Sequence, residues 1–116
     1  MTTKSKKKQA VLPVLPLRDM VIFPGCIQPV YAGRAMSLAA IQAMGEGDQI
    51  VILTQKKPDV NEPKAEDLFD VGVVARVLQR ITLQDGSVKL LINALYRVKV
   101  QWLDFSQAYI SAMVEP

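Results

Sequence analysis

The sequence predicts a mainly β domain with a single α-helix. Two long stretches of alternating apolar and polar residues flank Asp85-Gly86, a dipeptide typical of tight β-hairpin turns. Only residues 34–44 carry apolar side chains at helical spacing, and the other apolar runs are short and rich in β-branched residues. The chain has 116 residues, which is room for one domain without a second lobe.

The longest predicted element is a β-hairpin over residues 71–101. A two-residue turn at Asp85-Gly86 would place Gln84 opposite Ser87. One face of the hairpin is then almost wholly apolar and is predicted to be core, with Ile81 among its residues. The other face mixes leucines with guanidinium groups, and it includes Arg76, Leu78, Arg80, Leu91, Leu95 and Arg97.

Shorter signals predict the remaining strands. Residues 11–17 contain two prolines, which cannot donate ladder hydrogen bonds, and this predicts an edge strand or a strand leading into the sheet. Residues 27–32 predict another strand, which Pro29 should keep near an edge. The β-branched run at 49–55 is typical of a central buried strand. Residues 102–114 indicate one more strand or hairpin.

The predicted helix should have one buried side and one partly exposed side. Leu38, Ile41 and Met44 fall on one stripe and are expected to face the core. The opposite side should then remain partly exposed, and it carries Met36, Ala40 and Ala43. After the next strand, residues 56–67 hold two prolines and mixed charges without periodicity, which predicts a long, exposed and mobile loop.

The positive charge of the chain belongs to its first residues. The formal net charge is +3, and four of the 14 basic residues lie in residues 1–10. Without those four, 10 basic residues face 11 acidic ones. Residues 1–10 are therefore interpreted as a disordered basic tail, and the overall basicity alone does not indicate nucleic-acid binding.

The residue inventory excludes several kinds of chemistry. Histidine is absent and Cys26 is the only cysteine, which rules out Ser-His-Asp catalysis, histidine metal sites and an internal disulfide. No phosphate-binding loop of the Walker type is present. We therefore predict no catalytic, cofactor-binding or metal-binding residues, and we expect a binding module. No apolar run reaches about 18 residues, so a membrane-spanning segment is not expected.

Several ordered motifs resemble the N-terminal domain of the Lon family of ATP-dependent serine proteases. They are LPVLPLRD at 12–19, VIFPG at 21–25, PVYAGR at 29–34, DLFDVGVVA at 67–75 and LQDGSVK at 83–89. The resemblance implies a PUA-like β pseudo-barrel of about six strands over residues 11–116. It also implies that the helical part, the AAA+ ATPase and the Ser-Lys protease of the family belong to a longer parent enzyme.

The same resemblance implies a function in recognising protein substrates. The expected partners are unfolded or damaged proteins and the other subunits of a homohexamer, without membrane contact. ATP and Mg would be cofactors of the parent enzyme and not of this chain. The expected compartment is the bacterial cytoplasm. The two surfaces that would contact substrate are the outer side of the helix and the mixed leucine–arginine face of the hairpin.

A stand-alone Lon-domain module, directed at nucleic acid, is the alternative reading. In that case the basic tail and Arg76, Arg80 and Arg97 would contact phosphates. Aromatic residues make up only 6% of the chain, which leaves few platforms for stacking bases and counts against single-strand recognition.

Overall fold

A computed structural model describes residues 10–18, 22–44 and 48–115. Within these ranges it confirms a mainly β fold with one α-helix. The elements are β1 (Ala10–Leu17), β2 (Ile27–Ala32), α1 (Ala35–Gln42), β3 (Gln49–Thr54), β4 (Val71–Thr82), β5 (Val88–Asp104) and β6 (Ser111–Glu115), with a short 3₁₀ turn at Ala65–Asp67. Ala10, which was assigned to the basic tail, begins β1, and the rest of that tail lies outside the described residues.

Five of the strands close into a barrel, and β2 lies outside it. The strand order is β2-β5-β4-β3-β1-β6, and β5 also pairs with β6. The ring is possible because β5 is long: its residues 88–93 pair with β2, and its residues 99–104 pair with β6. Among the strands that the structure describes, only β1 and β3 pair in parallel. The predicted hairpin is confirmed as β4 and β5, and its second strand extends to Asp104.

Two apolar cores lie on the two sides of this curved sheet. The barrel interior receives side chains from all five ring strands: Val14, Val51, Leu53, Val74, Val98, Ala112 and Val114. The second core lies between the outside of the barrel, β2 and α1, and it includes Leu15, Val30, Ile41, Ile50, Ile52, Val77, Leu90 and Ile92. Because β3 contributes to both cores, its four central residues are buried, which confirms the prediction of a central strand.

The prediction of an edge position is wrong for β1, which lies between β3 and β6. Its first half pairs with β6 and its second half with β3, so each half has one neighbour. Val14 N donates to Ile110 O at 2.8 Å, and Leu17 O accepts from Gln55 N at 2.8 Å. Backbone groups point to alternate sides along a strand. Each of the two prolines therefore faces the side on which its own half of β1 has no neighbouring strand.

The predicted hairpin register is wrong by one residue. Leu83 N donates to Ser87 O at 2.8 Å, and Thr82 lies opposite Val88, so the loop has three residues. Gly86 has a φ of +90°, whereas no described non-glycine residue has a positive φ. A two-residue type I′ turn would need a positive φ at Asp85 as well, and the three-residue loop needs it only at the glycine.

Two bulges shift the register of the hairpin further. Val77 pairs with Ile92 and Gln79 with Leu91, so Leu78 has no partner directly opposite. Ala75 pairs with Ala94 and Val74 with Tyr96, which leaves Leu95 as the extra residue on β5. Bulges of this kind change which side of the sheet the following side chains occupy.

Candidate functional site

The sheet continues beyond the barrel as a three-stranded extension. This sheet extension consists of β2, residues 88–93 of β5 and residues 76–82 of β4. One of its sides carries the buried Val30, Leu90 and Val77, which belong to the core beneath α1. Its other side is the continuation of the face that lines the barrel interior, because Arg76 follows Val74 at the strand period of two. No described element covers that side in full, as the exposure of its residues indicates.

That uncovered side is the outer sheet face. Residues directly opposite each other on antiparallel strands point to the same side, and the pairing of β2, β5 and β4 gives three rows across the extension. Ile27 is 61% exposed, Tyr31 59% and Ile81 41%. The outer sheet face consists of Ile27, Asn93 and Arg76 in the first row, Pro29, Leu91 and Gln79 in the second, and Tyr31, Lys89 and Ile81 in the third.

The composition of the outer sheet face is that of a contact surface. Ile27, Pro29 and Tyr31 are neighbours along β2, and Leu91 lies beside Pro29, whereas Lys89 separates Ile81 from Tyr31. The polar side chains are two amides and two cations, with no acidic residue among them. Contiguous exposed apolar side chains with polar groups around them are typical of surfaces that bind a partner.

The structure separates the leucines that the sequence placed together on the hairpin. Leu91 and Arg76 do lie on the outer sheet face. Leu78 is at a bulge and is exposed, and Leu95 is at the other bulge and packs partly buried against the barrel core. The predicted single leucine–arginine face is therefore wrong as a geometric unit, because the two bulges interrupt the alternation.

Arg80 and Arg97 also lie away from the outer sheet face. Arg80 is opposite Leu90, on the side occupied by α1, and its Nη1 donates to Ile41 O at 2.9 Å and Met44 O at 3.1 Å. A cation bonded to the last carbonyls of a helix stabilises its negative end. Arg97 is exposed and lies opposite Val73. The three arginines therefore do not form one phosphate-binding surface.

The outer side of α1 is less exposed than the sequence predicts. Leu38, Ile41 and Met44 pack against the core, as expected. Ala40, however, is 0% exposed, so its predicted exposure is wrong. The helix α1 packs against β1. Met36 is partly buried against the barrel core, and Ala43 is exposed. The helix therefore offers only a small apolar surface.

Sequence reasoning missed Ile27, Tyr31 and Ile81 as surface residues. Ile81 was assigned to the core because uninterrupted alternation places it on the side of Val77, whereas the bulge at Leu78 moves it to the other side. β2 was predicted with correct bounds, but its alternation of apolar residues, IQPVYA, does not say which side is covered. The position of Pro29 was the one available signal, since a proline within a strand points to an edge.

A cluster of polar side chains connects the loop at residues 56–67 to the barrel through hydrogen bonds. Arg34 donates to the Gln55 side chain and, at 2.8 Å, to Pro16 O. Arg18 donates to Pro58 O at 2.6 Å and to Asn61 Oδ1 at 3.0 Å. Burial lowers the pKa of Arg34, and the positive charge of Arg18 lowers it further. These side chains hold the loop in position. The loop is largely exposed, as predicted, but several of its carbonyl groups accept hydrogen bonds from side chains outside it.

The described residues contain no group of three or more His, Cys, Asp and Glu side chains that could hold a metal ion. Cys26 is an exposed free thiol. In the part of the chain that the structure describes, no helix is both long and apolar enough to cross a membrane.

A small barrel that leaves a partly apolar sheet face uncovered has the features of a binding domain. The family model for the substrate-binding domain of the ATP-dependent protease La (LON) matches residues 11–116. The Lon protease of Haemophilus influenzae is 41% identical over 113 residues, covering 97% of this chain. The Lon protease of Escherichia coli K12 is 37% identical over 111 residues, covering 95% of it. The chain therefore belongs to the Lon substrate-binding domain family, which confirms the resemblance seen in the sequence.

Solved structures agree with this assignment at the level of the fold. The N-terminal domain of Mycobacterium avium complex Lon protease superposes with a TM-score of 0.69 at 23% identity, covering 92% of this chain and 55% of that one. The Lon N-terminal domain protein of Xanthomonas campestris gives 0.63 at 18% identity, covering 92% and 57%. The chain spans only 14% of the length of the Haemophilus influenzae and Escherichia coli relatives.

Proposed function

We propose that this chain is the substrate-engaging domain of a Lon-type ATP-dependent protease and that its outer sheet face makes the contact. The observation that carries the proposal is the line of exposed side chains along β2, formed by Ile27, Pro29 and Tyr31, with Ile27 and Tyr31 each more than half exposed. A damaged protein exposes apolar segments that a folded protein buries. An open, largely apolar face with two cations suits many such segments, because it imposes no deep, specific pocket.

The proposal extends to the longer protein. The relatives are bacterial and bear the name Lon protease, and this chain corresponds to a small share of their length. In the proposed parent, ATP and Mg serve the ATPase module, the proteolytic step takes place in another domain, and this domain supports assembly of the homohexamer in the bacterial cytoplasm. The captured segment would be passed from the outer sheet face to the ATP-driven part of the assembly.

The nucleic-acid reading has less support. It needs Arg76, Arg80 and Arg97 on one surface, whereas Arg80 bonds to the end of α1 on the opposite side of the sheet from Arg76. A binding surface for phosphates built from these three residues is therefore not proposed.

A titration with an unfolded, apolar-rich peptide tests the substrate-binding role. We expect NMR shifts at Ile27, Tyr31 and Leu91, with a dissociation constant of roughly 10 µM to 1 mM, as for a small patch without a deep pocket. The double variant Ile27→Thr/Tyr31→Thr keeps strand-forming residues and should weaken binding by about tenfold.

The matched control is the exposed Val71→Thr change on β4, which lies outside the outer sheet face and should leave the affinity unchanged. Equal weakening by both variants, or shifts that avoid the outer sheet face at millimolar peptide, would contradict the proposed binding site.

A further inference from the structure

One long side of β2 has no partner strand. Among the described strands, β2 pairs only with β5. An unpaired strand side presents backbone N–H and C=O groups that can accept another extended chain. Which residues present these groups follows from the hydrogen bonds on the paired side.

The pairing with β5 fixes the direction of each backbone group in β2. Ala94 N donates to Cys26 O at 2.9 Å, and Gly25 N donates to Ala94 O at 2.8 Å. Bonded and non-bonded pairs alternate along an antiparallel ladder, so Gln28 and Val30 direct their backbone groups towards β5. Ile27, Pro29 and Tyr31 therefore direct theirs to the open side.

Pro29 fits this arrangement. It occupies a position at which its missing N–H removes no bond to β5, and on the open side it offers only a carbonyl. The open side thus presents two N–H groups, from Ile27 and Tyr31, and three carbonyls. Because a proline interrupts the row of donors, pairing between two copies of this edge is weakened.

The open edge and the outer sheet face use the same three residues. Ile27, Pro29 and Tyr31 direct their backbone to the open side, and all three side chains are exposed on the outer sheet face. Space continues past the end of β2, where a cavity of about 370 Å³ lies between the end of β1 and the start of α1; Arg18 and Arg34 are among its lining residues.

We propose that a segment of unfolded substrate binds as an additional β-strand along the open edge of β2 and lays its alternate side chains on the outer sheet face. This binding mode rests on the proposed function. An unfolded chain is the fitting partner because it complements both features of the site: its backbone groups can pair with the open edge, and its apolar side chains can pack on the outer sheet face. Backbone pairing is independent of sequence, so it suits a receptor for many substrates.

The test uses a short synthetic peptide of alternating valine and threonine, in equal numbers and with blocked ends, together with two N-methylated derivatives that are isomers of each other. One isomer is N-methylated at every valine and the other at every threonine. The N–H groups of a strand point alternately to its two edges, so each isomer loses the donors of one edge. We expect one isomer to bind this chain at least about tenfold more weakly than the parent peptide, and the other to bind nearly as well.

The identity of the weakened isomer reports the strand direction. In an antiparallel arrangement, the peptide residues opposite Ile27 and Tyr31 share their face and bond to them, so the valine-methylated isomer is weakened. In a parallel arrangement, the threonine-methylated isomer is weakened. Hydrogen exchange of the Ile27 and Tyr31 amides should slow when the parent peptide binds, whereas exchange of the Val30 amide, already paired, should change little.

Two outcomes are distinguishable failures. If the parent peptide shifts the outer sheet face but both isomers bind equally, strand addition is refuted while the proposed function stands. If the parent peptide does not bind, the proposed function itself fails. A second measurement uses Pro29→Ala, which adds one donor to the open edge and should strengthen binding of the parent peptide about threefold to fivefold. Pro58→Ala, in the exposed loop, should leave the affinity unchanged. If Pro29→Ala gives no gain in affinity, that result also counts against binding at the open edge.

Discussion

Replacing Gln55 by alanine should release the loop at residues 56–67 from the barrel. Gln55 follows β3 and is only 2% exposed. Its Nε2 donates to Val60 O at 2.8 Å and to Lys57 O at 3.1 Å, and its Oε1 accepts a hydrogen bond from Arg34. One side chain therefore joins the end of β3, the start of α1 and two carbonyls of the loop.

The expected loss in the free energy of unfolding is about 2–3 kcal/mol. A neutral hydrogen bond contributes roughly 1 kcal/mol and one to a charged group about 1.5–3 kcal/mol, so the three bonds of Gln55 set an upper limit of about 5 kcal/mol. The loop carbonyls lie near solvent, and water can replace part of what is lost. The guanidinium of Arg34, which burial already disfavours, loses an acceptor and contributes much of the remainder.

Urea unfolding followed by circular dichroism measures this loss, and limited trypsin digestion measures release of the loop. Cleavage after Lys56 and Lys64 should be faster in Gln55→Ala than in the unchanged chain, whereas the bond after Lys57 resists trypsin in both because Pro58 follows it. Gln84→Ala makes the same chemical change at an exposed position in the hairpin loop and should alter the free energy by less than about 0.5 kcal/mol. A Gln55→Ala variant as stable and as resistant to trypsin as Gln84→Ala would refute the reasoning.

Three further predictions concern the fold. Gly72→Ala should lower the free energy of unfolding by about 3 kcal/mol, since the added methyl group would overlap a carbonyl oxygen of β3. Gly33→Ala should cost little, because its methyl group would meet only a side chain at 3.8 Å. The midpoints of urea unfolding test both predictions. Arg80→Ala should cost about 1 kcal/mol by freeing the end of α1, and Arg80→Lys should recover part of it. Hydrogen bonds from the Ser87 side chain and backbone lower the pKa of Asp85 in the folded protein. The stability that they give is therefore present above the pKa of Asp85 in the unfolded chain, and it is lost as the pH falls through the pKa of the folded state. An NMR titration in which Ser87→Ala leaves the pKa of Asp85 unchanged would contradict this.

The elements that the sequence predicts well are those fixed by local signals. The Asp85-Gly86 dipeptide and the alternation around it are sufficient to predict the hairpin, and the β-branched run at Gln49–Thr54 is sufficient to predict a buried strand. The helix over Ala35–Gln42 follows from spacing alone. Each of these patterns reflects a property of a few neighbouring residues, so the rest of the chain is not needed to interpret it.

The register of the hairpin could not be predicted, and the candidate site depends on it. Asp-Gly is compatible with a two-residue and with a three-residue loop, and the difference is the sign of φ at Asp85. A slip of one residue moves every side chain of a strand to the other side. In this hairpin the displacement is confined to residues 79–82, between the bulge at Leu78 and the loop, and Val77 stays in the core as predicted. The prediction therefore placed Arg80 on the exposed side and Ile81 in the core, whereas Arg80 lies beside α1 and Ile81 is on the outer sheet face.

The prolines show why the open edge had to be located from the structure. A proline in a strand indicates only that one backbone position needs no donor. In β1 that condition is met inside a closed ring, because Pro13 and Pro16 each face the side on which their half of the strand lacks a neighbour. In β2 it is met because the whole side is open, and Pro29 faces it together with Ile27 and Tyr31. The two cases look alike in sequence and differ only in how distant strands close the barrel, so pairing across the whole chain decides which proline marks a surface able to receive another strand.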